Sequence, residues 1–276
     1  DQDVVFIATN NAVNDCNDAE RAIFIGGNNN DLRDEISSAG STSSIEPMFI
    51  GGTGNTMNGG LHSSIYGGFD NTINSSLAET LPEFYTDRNN HIIGGQQNIL
   101  GNDVSDSAII SSYATAISGD TTHTAKYCVA VGTYGSSITN VTGLNNPLGR
   151  SSLFGGTNNH ITTEYASYNN VIVGGNSNTL SAGTGSQHNI IIGGQNNTIE
   201  NSSTYDSCAI LGGSGNTASG VHRSVVLGGA SLSASADDTV VVPYLEVNDY
   251  VTLTPRASAP TGVALTVTTD GAAVRM

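Results

Sequence analysis

A short motif repeated along the chain constrains the fold more than any other feature. In each copy, apolar residues precede a pair of glycines, and another apolar residue follows six positions after the first glycine, as in residues 190–199. Nine copies keep both glycines, and two replace one or both of them. The first residues of the eleven pairs, used here as anchors, are Gly26, Gly51, Gly67, Gly94, Ser111, Gly132, Gly155, Gly174, Gly193, Gly212 and Gly228.

The residue four positions after the anchor is asparagine in eight of the eleven copies. Two other copies have Thr115 and Ser136 there, and a degenerate twelfth copy occupies residues 4–9. Side-chain amides that stack in register along a ladder of strands hydrogen-bond to one another. We therefore expect the asparagine column to stabilise the fold rather than to bind a ligand. The eight asparagines are Asn30, Asn55, Asn71, Asn98, Asn159, Asn178, Asn197 and Asn216.

Each copy predicts two short β-strands joined by a glycine corner. The apolar runs are too short for helices and rich in Ile and Val, and one copy cannot bury its own apolar face, so successive copies must stack. We expect an all-β fold, a parallel β-solenoid of about 11–12 rungs. The predicted divisions are an entry segment with the degenerate rung at 1–21, the solenoid at 22–234, and an extended β neck or further module at 235–276.

The apolar residues before each anchor alternate between the two faces of their strand. One face can fill the solenoid interior, whereas the other needs a partner surface, so we expect a homotrimer. Within the windows from three residues before the anchor to six after it, only Asp31 and Asp70 are charged. The longest connections, 33–47, 74–90 and 139–150, are therefore expected to form charged loops on one face or edge and to carry the binding determinants.

Three segments carry a resemblance to a known family. They are Ser-Val-Val-Leu-Gly-Gly at 224–229, Ala-Ile-Leu-Gly-Gly-Ser-Gly-Asn-Thr-Ala-Ser-Gly at 209–220, and Asp-Asp-Thr-Val-Val-Val-Pro-Tyr-Leu-Glu-Val at 237–247. They resemble the head repeats of trimeric autotransporter adhesins and the related repeats of bacteriophage tail fibres. Over residues 22–234 the resemblance implies a trimeric, left-handed parallel β-roll that attaches to a surface. The longer, irregular repeats and the asparagine column favour a viral or extracellular fibre segment.

Composition narrows the set of partners. With 24 acidic and 8 basic side chains and a net charge of −16, the chain lacks the clustered cations that a nucleic-acid-binding surface needs. No apolar run is long enough to cross a bilayer. The expected partners are further copies of the chain, a host cell-surface glycan or protein receptor, and other fibre or virion proteins. The expected location is extracellular or on a virion surface, and no cofactor is expected.

A polysaccharide-degrading tailspike is the main alternative to a non-enzymatic attachment protein. Glycoside hydrolysis needs two carboxylates that face one groove, and no spacing in this sequence supplies them, so we expect no enzymatic activity. A polymerising filament subunit is a further alternative, because solenoid ends can add strands. The carboxylate candidates are Glu79, Glu83, Asp87, Asp103 and Asp106, and the aromatic residues that could stack on sugars are Phe84, Tyr85, Tyr165 and Tyr168.

Two other ligand classes find little support. Calcium could be bound by Asp15, Asp18 and Glu20, or by Asp103 and Asp106, but neither set follows a known calcium-loop pattern. His91 and His160 are expected to be exposed rung residues rather than metal ligands. An ice-binding threonine array would be broken, since six of the eleven copies lack it. The threonines that follow the asparagine column are Thr56, Thr72, Thr179, Thr198 and Thr217.

The three cysteines, Cys16, Cys128 and Cys208, show no metal-binding spacing. Cys128 and Cys208 both lie four residues before their anchors, so the register places them at equivalent corners four rungs apart. At about 4.8 Å per rung, that separation far exceeds the reach of a disulfide. We expect thiols that serve as small core or corner residues.

Overall fold

A computed structural model of the chain describes residues 4–6, 11–14, 22–25, 30–33, 48–50, 53–58, 63–73, 89–101, 104–119, 125–140, 150–164, 167–201 and 207–245. Within these ranges every strand pairing is parallel and no helix occurs. One compact unit spans Asp1–Pro243, and a second spans Tyr244–Met276, of which Tyr244 and Leu245 are described.

Most strands belong to two long parallel sheets, and each copy of the motif contributes one strand to each sheet. The first sheet has 13 strands: β1 (Val4–Phe6), β3 (Ala22–Ile25), β5 (Met48–Ile50), β7 (Ser64–Tyr66), β9 (His91–Ile93), β12 (Ala108–Ile110), β15 (Val129–Val131), β17 (Ser151–Phe154), β19 (Asn170–Val173), β21 (Ile190–Ile192), β23 (Ala209–Leu211), β25 (Val225–Leu227) and β27 (Val240–Val241).

The second sheet has 12 strands, and a small third sheet pairs β11 (Val104–Ser105) with β14 (Ala125–Lys126). The strands of the second sheet are β2 (Asn11–Asn14), β4 (Asn30–Arg33), β6 (Thr56–Asn58), β8 (Thr72–Ile73), β10 (Ile99–Leu100), β13 (Ala116–Ser118), β16 (Ser137–Asn140), β18 (His160–Thr163), β20 (Thr179–Ala182), β22 (Thr198–Asn201), β24 (Thr217–Ser219) and β26 (Ser233–Ala234).

This arrangement confirms the predicted parallel β-solenoid. The eleven motif copies and the degenerate copy each form one rung, with a strand in both sheets, and their anchors align in register. The first sheet also continues past residue 234, because β27 pairs with β25 through Val225 and Val240. The left-handed sense of the coil, which the family resemblance implies, stays a prediction.

Two aliphatic columns fill the interior. The residue two positions before each anchor points inward from the first sheet, and the residue six positions after it points inward from the second, as Ile191 and Ile199 do at 0 % exposure. Neighbouring members pair directly, for example Ile172 with Ile191 and Leu180 with Ile199. The predicted aliphatic column is therefore confirmed from Ile73 to Ala234.

The asparagine column forms the predicted ladder of hydrogen bonds. Asn178 Oδ1 accepts a hydrogen bond from the backbone nitrogen of Asn197 at 3.0 Å, and Asn197 Oδ1 accepts one from Asn216 at 2.9 Å. The amide nitrogens also donate to backbone carbonyls of the next rung, as Asn178 Nδ2 does to Gly193 at 3.3 Å and Asn98 Nδ2 does to Ser112 at 2.7 Å. These groups are fully buried, so the ladder satisfies polar atoms that would otherwise destabilise the core.

The two glycines of a pair have different roles. Gly174 has a φ of 67° and open space around a hypothetical Cβ, so it is needed only for its left-handed backbone. At Gly175 a Cβ would collide with the Asn178 amide and with the carbonyl of Gly194. This explains why the copies without a second glycine also lack the asparagine: Ser112 and Thr133 are followed by the shorter Thr115 and Ser136.

The cysteine prediction is confirmed for the two residues that the structure describes. Cys128 and Cys208 are each 1 % exposed and lie in one column of the interior, four rungs apart. The Cys208 thiol donates to the Val221 carbonyl at 3.1 Å, so it fills a corner as a small polar core residue. Cys16 lies outside the described residues.

Candidate functional site

The two ends of each rung differ in how much they vary. Nine successive connections from the first sheet to the second, from residues 67–71 to residues 228–232, all contain five residues. The connections back to the first sheet range from five residues, at 220–224, to 17 residues, at 74–90. We call the first type the glycine corner and the second the return edge. Over these nine rungs, the variation in length thus falls on the return edge.

The predicted attachment loops belong to the return edge by their position in the sequence. Residues 34–47, 74–90 and 141–150 lie between a strand of the second sheet and the next strand of the first, whereas Arg33 still belongs to β4, and Thr139 and Asn140 belong to β16. Most of their residues lie outside the described ranges. The same holds for the candidates Glu79, Glu83, Asp87, Asp103, Phe84, Tyr85, Tyr165, Asp15, Asp18 and Glu20.

Where the return edge is described, one outward-pointing residue of each rung aligns with its counterparts on the neighbouring rungs. It lies five positions before the anchor, next to the buried residue that opens the rung, and we call this set the corner column. Most members have a left-handed backbone, with φ values between 48° and 60°. The column consists of Asn89, Asp106, Tyr127, Arg150, Asn169, His188, Ser207, Arg223 and Asp238, aligned by the strand register.

Side chains of the corner column interact from rung to rung. At one end Asn89 Nδ2 donates to Asp106 Oδ1 at 3.1 Å, and Lys126 Nζ lies 3.4 Å from Asp106 Oδ2. At the other end Arg223 makes two hydrogen bonds to Asp238, at 2.6 and 2.8 Å, and this pairing raises the pKa of Arg223. The carboxylate candidate Asp106 thus takes part in an ion pair with Lys126.

The centre of the corner column carries an exposed aromatic ring with two cations beside it. Tyr127 is 43 % exposed, Lys126 Nζ lies 5.2 Å from its ring centroid, and Arg150 Cζ lies 5.6 Å from it. Tyr127 also has a φ of 57°, a conformation that costs an ordinary residue about 1–2 kcal/mol. Asp, Asn, Ser and His, which fill other places in the column, tolerate this backbone better than a tyrosine does.

The aromatic candidate Tyr168 lies beside this centre. It precedes Asn169, so it is one rung from Arg150, and its hydroxyl accepts a hydrogen bond from Gln187 Nε2 at 2.8 Å. On the next rung, Asn169 Nδ2 and His188 Nε2 lie 3.3 Å apart. The structure therefore brings Tyr127, Arg150, Asn169 and His188 into one line. The signal for this line in the sequence is that each of the four residues lies five positions before an anchor.

A second exposed surface lies on the outer face of the first sheet. The residue directly before each anchor points outward, and it is apolar in every described rung, with Ile192 43 % and Leu211 39 % exposed. No charged residue occurs in this column, which we call the apolar stripe. Its described members are Tyr66, Ile93, Ile110, Val131, Phe154, Val173, Ile192, Leu211 and Leu227.

The two histidines predicted to be exposed rung residues each pair with a serine on the preceding rung. Ser64 Oγ lies 2.6 Å from His91 Nδ1, and Ser137 Oγ lies 2.8 Å from His160 Nδ1. His160 is exposed, but His91 is half-buried on the outer face of the first sheet, and this burial lowers its pKa. Because the same pair recurs on both sheets, it is part of the rung ladder rather than a nucleophile and its base.

The threonine row also follows the rungs. Thr179, Thr198 and Thr217 occupy three successive rungs on the outer face of the second sheet. Ile99, Ala116, Ser137 and His160 interrupt the row between Thr72 and Thr179. The row is therefore broken, as the sequence predicts.

Metal and membrane sites were searched over the described part of the chain. There, no group of three or more His, Cys, Asp or Glu residues comes together as metal ligands would. Nor does any helix long and apolar enough to span a membrane occur in those ranges. No protein-family model matches the chain, and no curated protein or solved structure was found to be similar to it.

Proposed function

We propose that the chain is a non-enzymatic structural and attachment protein, a segment of a trimeric fibre whose return edge displays binding loops. The observation that carries this proposal is the division of each rung into a constant glycine corner and a variable return edge. A scaffold that only had to be stiff would have no use for connections of 5 to 17 residues at one edge. Binding residues are often found on loops that a rigid scaffold positions.

The apolar stripe supports assembly from several copies of the same chain. Contiguous exposed apolar surface of this kind marks an interaction site. The stripe repeats at about 4.8 Å per rung and is straight and uncharged, so its partner must present a surface of the same period. Another copy of the chain offers that surface, and the family resemblance implies three copies. Because each copy carries a net charge of −16, copies repel one another, and association through faces other than the apolar stripe is unfavourable.

Light scattering on the full chain tests the assembly. We expect a mass of three times 28.3 kDa. A double variant, Val173→Asp with Ile192→Asp, should yield monomers, because it places two carboxylates in adjacent rungs of the stripe. The matched control, Thr179→Asp with Thr198→Asp, places two carboxylates on adjacent rungs of the outer face of the second sheet and should remain trimeric. A wild-type chain that stays a folded monomer would contradict the proposal, and open-ended polymers would favour the filament alternative.

Attachment is tested by shortening the return edge. Replacing residues 74–90 with the five-residue connection found at 220–224 should abolish binding to cells or surfaces that bind the wild type. The rungs on either side should stay folded, since such short connections already occur elsewhere in the solenoid. Unchanged attachment after replacement of 33–47, 74–90 and 139–150 together would refute the loop assignment. Release of short saccharides from a capsular polysaccharide would favour the tailspike enzyme instead.

A further inference from the structure

The cations of this chain are few, and two of them meet at one ring. The sequence has 8 basic against 24 acidic residues, and Lys126 is its only lysine. Lys126 Nζ and Arg150 Cζ lie 5.2 and 5.6 Å from the centroid of Tyr127, on neighbouring rungs. A chain with a charge of −16 repels anions in general. The two cations at this exposed ring therefore form a local region of the surface that can bind an anion.

The charge of this cluster is only partly neutralised. Asp106 pairs with Lys126 at 3.4 Å, but within the described ranges no carboxylate pairs with Arg150. Glu164, which precedes the next rung, accepts a hydrogen bond from Thr184 at 3.3 Å. Arg223, in the same corner column, is bound by Asp238 through two hydrogen bonds. Arg150 thus differs from Arg223 in being available to an external anion.

The backbone conformation of Tyr127 also supports a binding role for this cluster. Its φ of 57° is unfavourable for a bulky side chain, and apart from Arg223 the other left-handed members of the corner column are Asp, Asn, Ser or His. Backbone strain of this kind is concentrated at binding sites. A tyrosine is thus a poor choice for the stability of this corner, and binding would explain its presence.

Beyond Arg150 the column continues with groups that suit sugar hydroxyls. Asn169 and His188 follow on the next two rungs, with the Tyr168 hydroxyl beside them. These side chains offer hydrogen-bond donors and acceptors at steps of about 4.8 Å. A guanidinium binds a carboxylate through two parallel hydrogen bonds. The line thus offers a cationic end for an acidic sugar and a polar end for the units that follow.

We propose that Lys126, Tyr127 and Arg150 form a binding site for a carboxylate-bearing sugar in a linear glycan, with Asn169 and His188 contacting the adjoining units. The inference rests on the proposed attachment function and names the class of glycan for this part of the return edge. The carboxylate pairs with Arg150 beside the Tyr127 ring, Lys126 adds positive charge at the same ring, and the chain of the glycan follows the corner column.

Binding of the full chain to immobilised oligosaccharides tests the site. The probes are oligomers of galacturonate, of mannuronate and of α2,8-linked sialic acid, with neutral dextran as the reference. At least one carboxylated probe should bind, and dextran should not. Arg150→Gln should weaken that binding about tenfold or more, since it removes a charged hydrogen-bond donor. Arg223→Gln, a matched loss of charge in the same column, should leave it unchanged.

Tyr127→Asn separates binding from stability. Asparagine tolerates the left-handed backbone, so this variant should unfold at the same or a higher temperature while losing affinity for the carboxylated probe. Affinity equal to wild type in both Arg150→Gln and Tyr127→Asn, or no binding to any carboxylated probe, would overturn the site. Light scattering on the same samples reports the trimer, so failure of the sugar site is distinguished from failure of the proposed fibre.

Discussion

The glycine corner and the return edge are built by the same chain in every rung, but they follow different rules. At the glycine corner, buried amides bond from one rung to the next, so a change in length or in the second glycine breaks contacts on two rungs. At the return edge, the buried residue that opens each rung also bonds to the next rung, as Asn189 Oδ1 accepts from the backbone nitrogen of Cys208 at 2.9 Å, but the outward residues of the corner column bond to each other. The difference shows where this fold can change its sequence without losing its register.

The largest effect should come from a change in length. Inserting Gly-Ser between Gln195 and Asn196, in a glycine corner, should prevent the flanking rungs from stacking, because it shifts the asparagine out of the ladder. The same insertion between Ser203 and Thr204, on the return edge, should cost less than about 1 kcal/mol. Urea denaturation followed by circular dichroism measures both. Equal losses would show that the two ends of a rung are equivalent.

Within one glycine pair, the second glycine should matter more than the first. Gly175→Ala should cost more than about 3 kcal/mol of unfolding free energy, because a Cβ there collides with the Asn178 amide and the Gly194 carbonyl as well as straining the backbone. Gly174→Ala should cost only the strain, about 1–2 kcal/mol. The two denaturation midpoints, measured at one protein concentration, give the comparison. A larger loss at Gly174 would contradict the assigned roles.

The buried thiol of Cys128, which follows Tyr127 on the return edge, should make the stability of the fold depend on alkaline pH. Burial raises its pKa from 9.0 to about 12. Because the folded value is higher than the unfolded one, the folded state is fully stable below pH 9 and loses stability as the pH rises towards 12. The loss should approach about 4 kcal/mol. Cys128→Ser, which matches Ser107 and Ser151 on the adjacent rungs, should reduce this loss of stability at alkaline pH. An unchanged pH profile would show that the Cys128 thiol is not its cause.

Loss of one ladder amide should have the smallest of these effects. Asn178→Ala leaves the backbone nitrogen of Asn197 and the carbonyl of Gly193 without the amide, whereas the Gly194 carbonyl still accepts from the backbone nitrogen of Asn176. The loss should cost about 1–3 kcal/mol. The control Asn176→Ala changes an exposed residue of the same corner and should stay within about 0.5 kcal/mol of wild type. Thermal unfolding of both variants measures the difference. Equal unfolding temperatures would show that the asparagine ladder does not stabilise the fold.

The motif alone was enough to predict the rungs, their register and the inward columns. Ile191, Asn178 and Cys208 lie where counting from the anchors places them, because a parallel ladder of like residues admits only one register that buries every aliphatic side chain. The candidate site was predicted only in part. Tyr168 and Asp106 were named from composition, whereas Tyr127, Lys126 and Arg150 were not.

The sequence by itself determined what is local and periodic: strand, glycine corner, strand, and the identity of each inward column. Only the tertiary structure decided which side chains of the return edge come into contact, such as the Lys126 and Arg150 cations at the Tyr127 ring. Tyr127 and Arg150 are 23 positions apart, whereas the next two members of the column, Arg150 and Asn169, are 19 apart, so no constant spacing links them. Stacking brings them within one rung, because the register is set by the buried columns and not by the length of the connections.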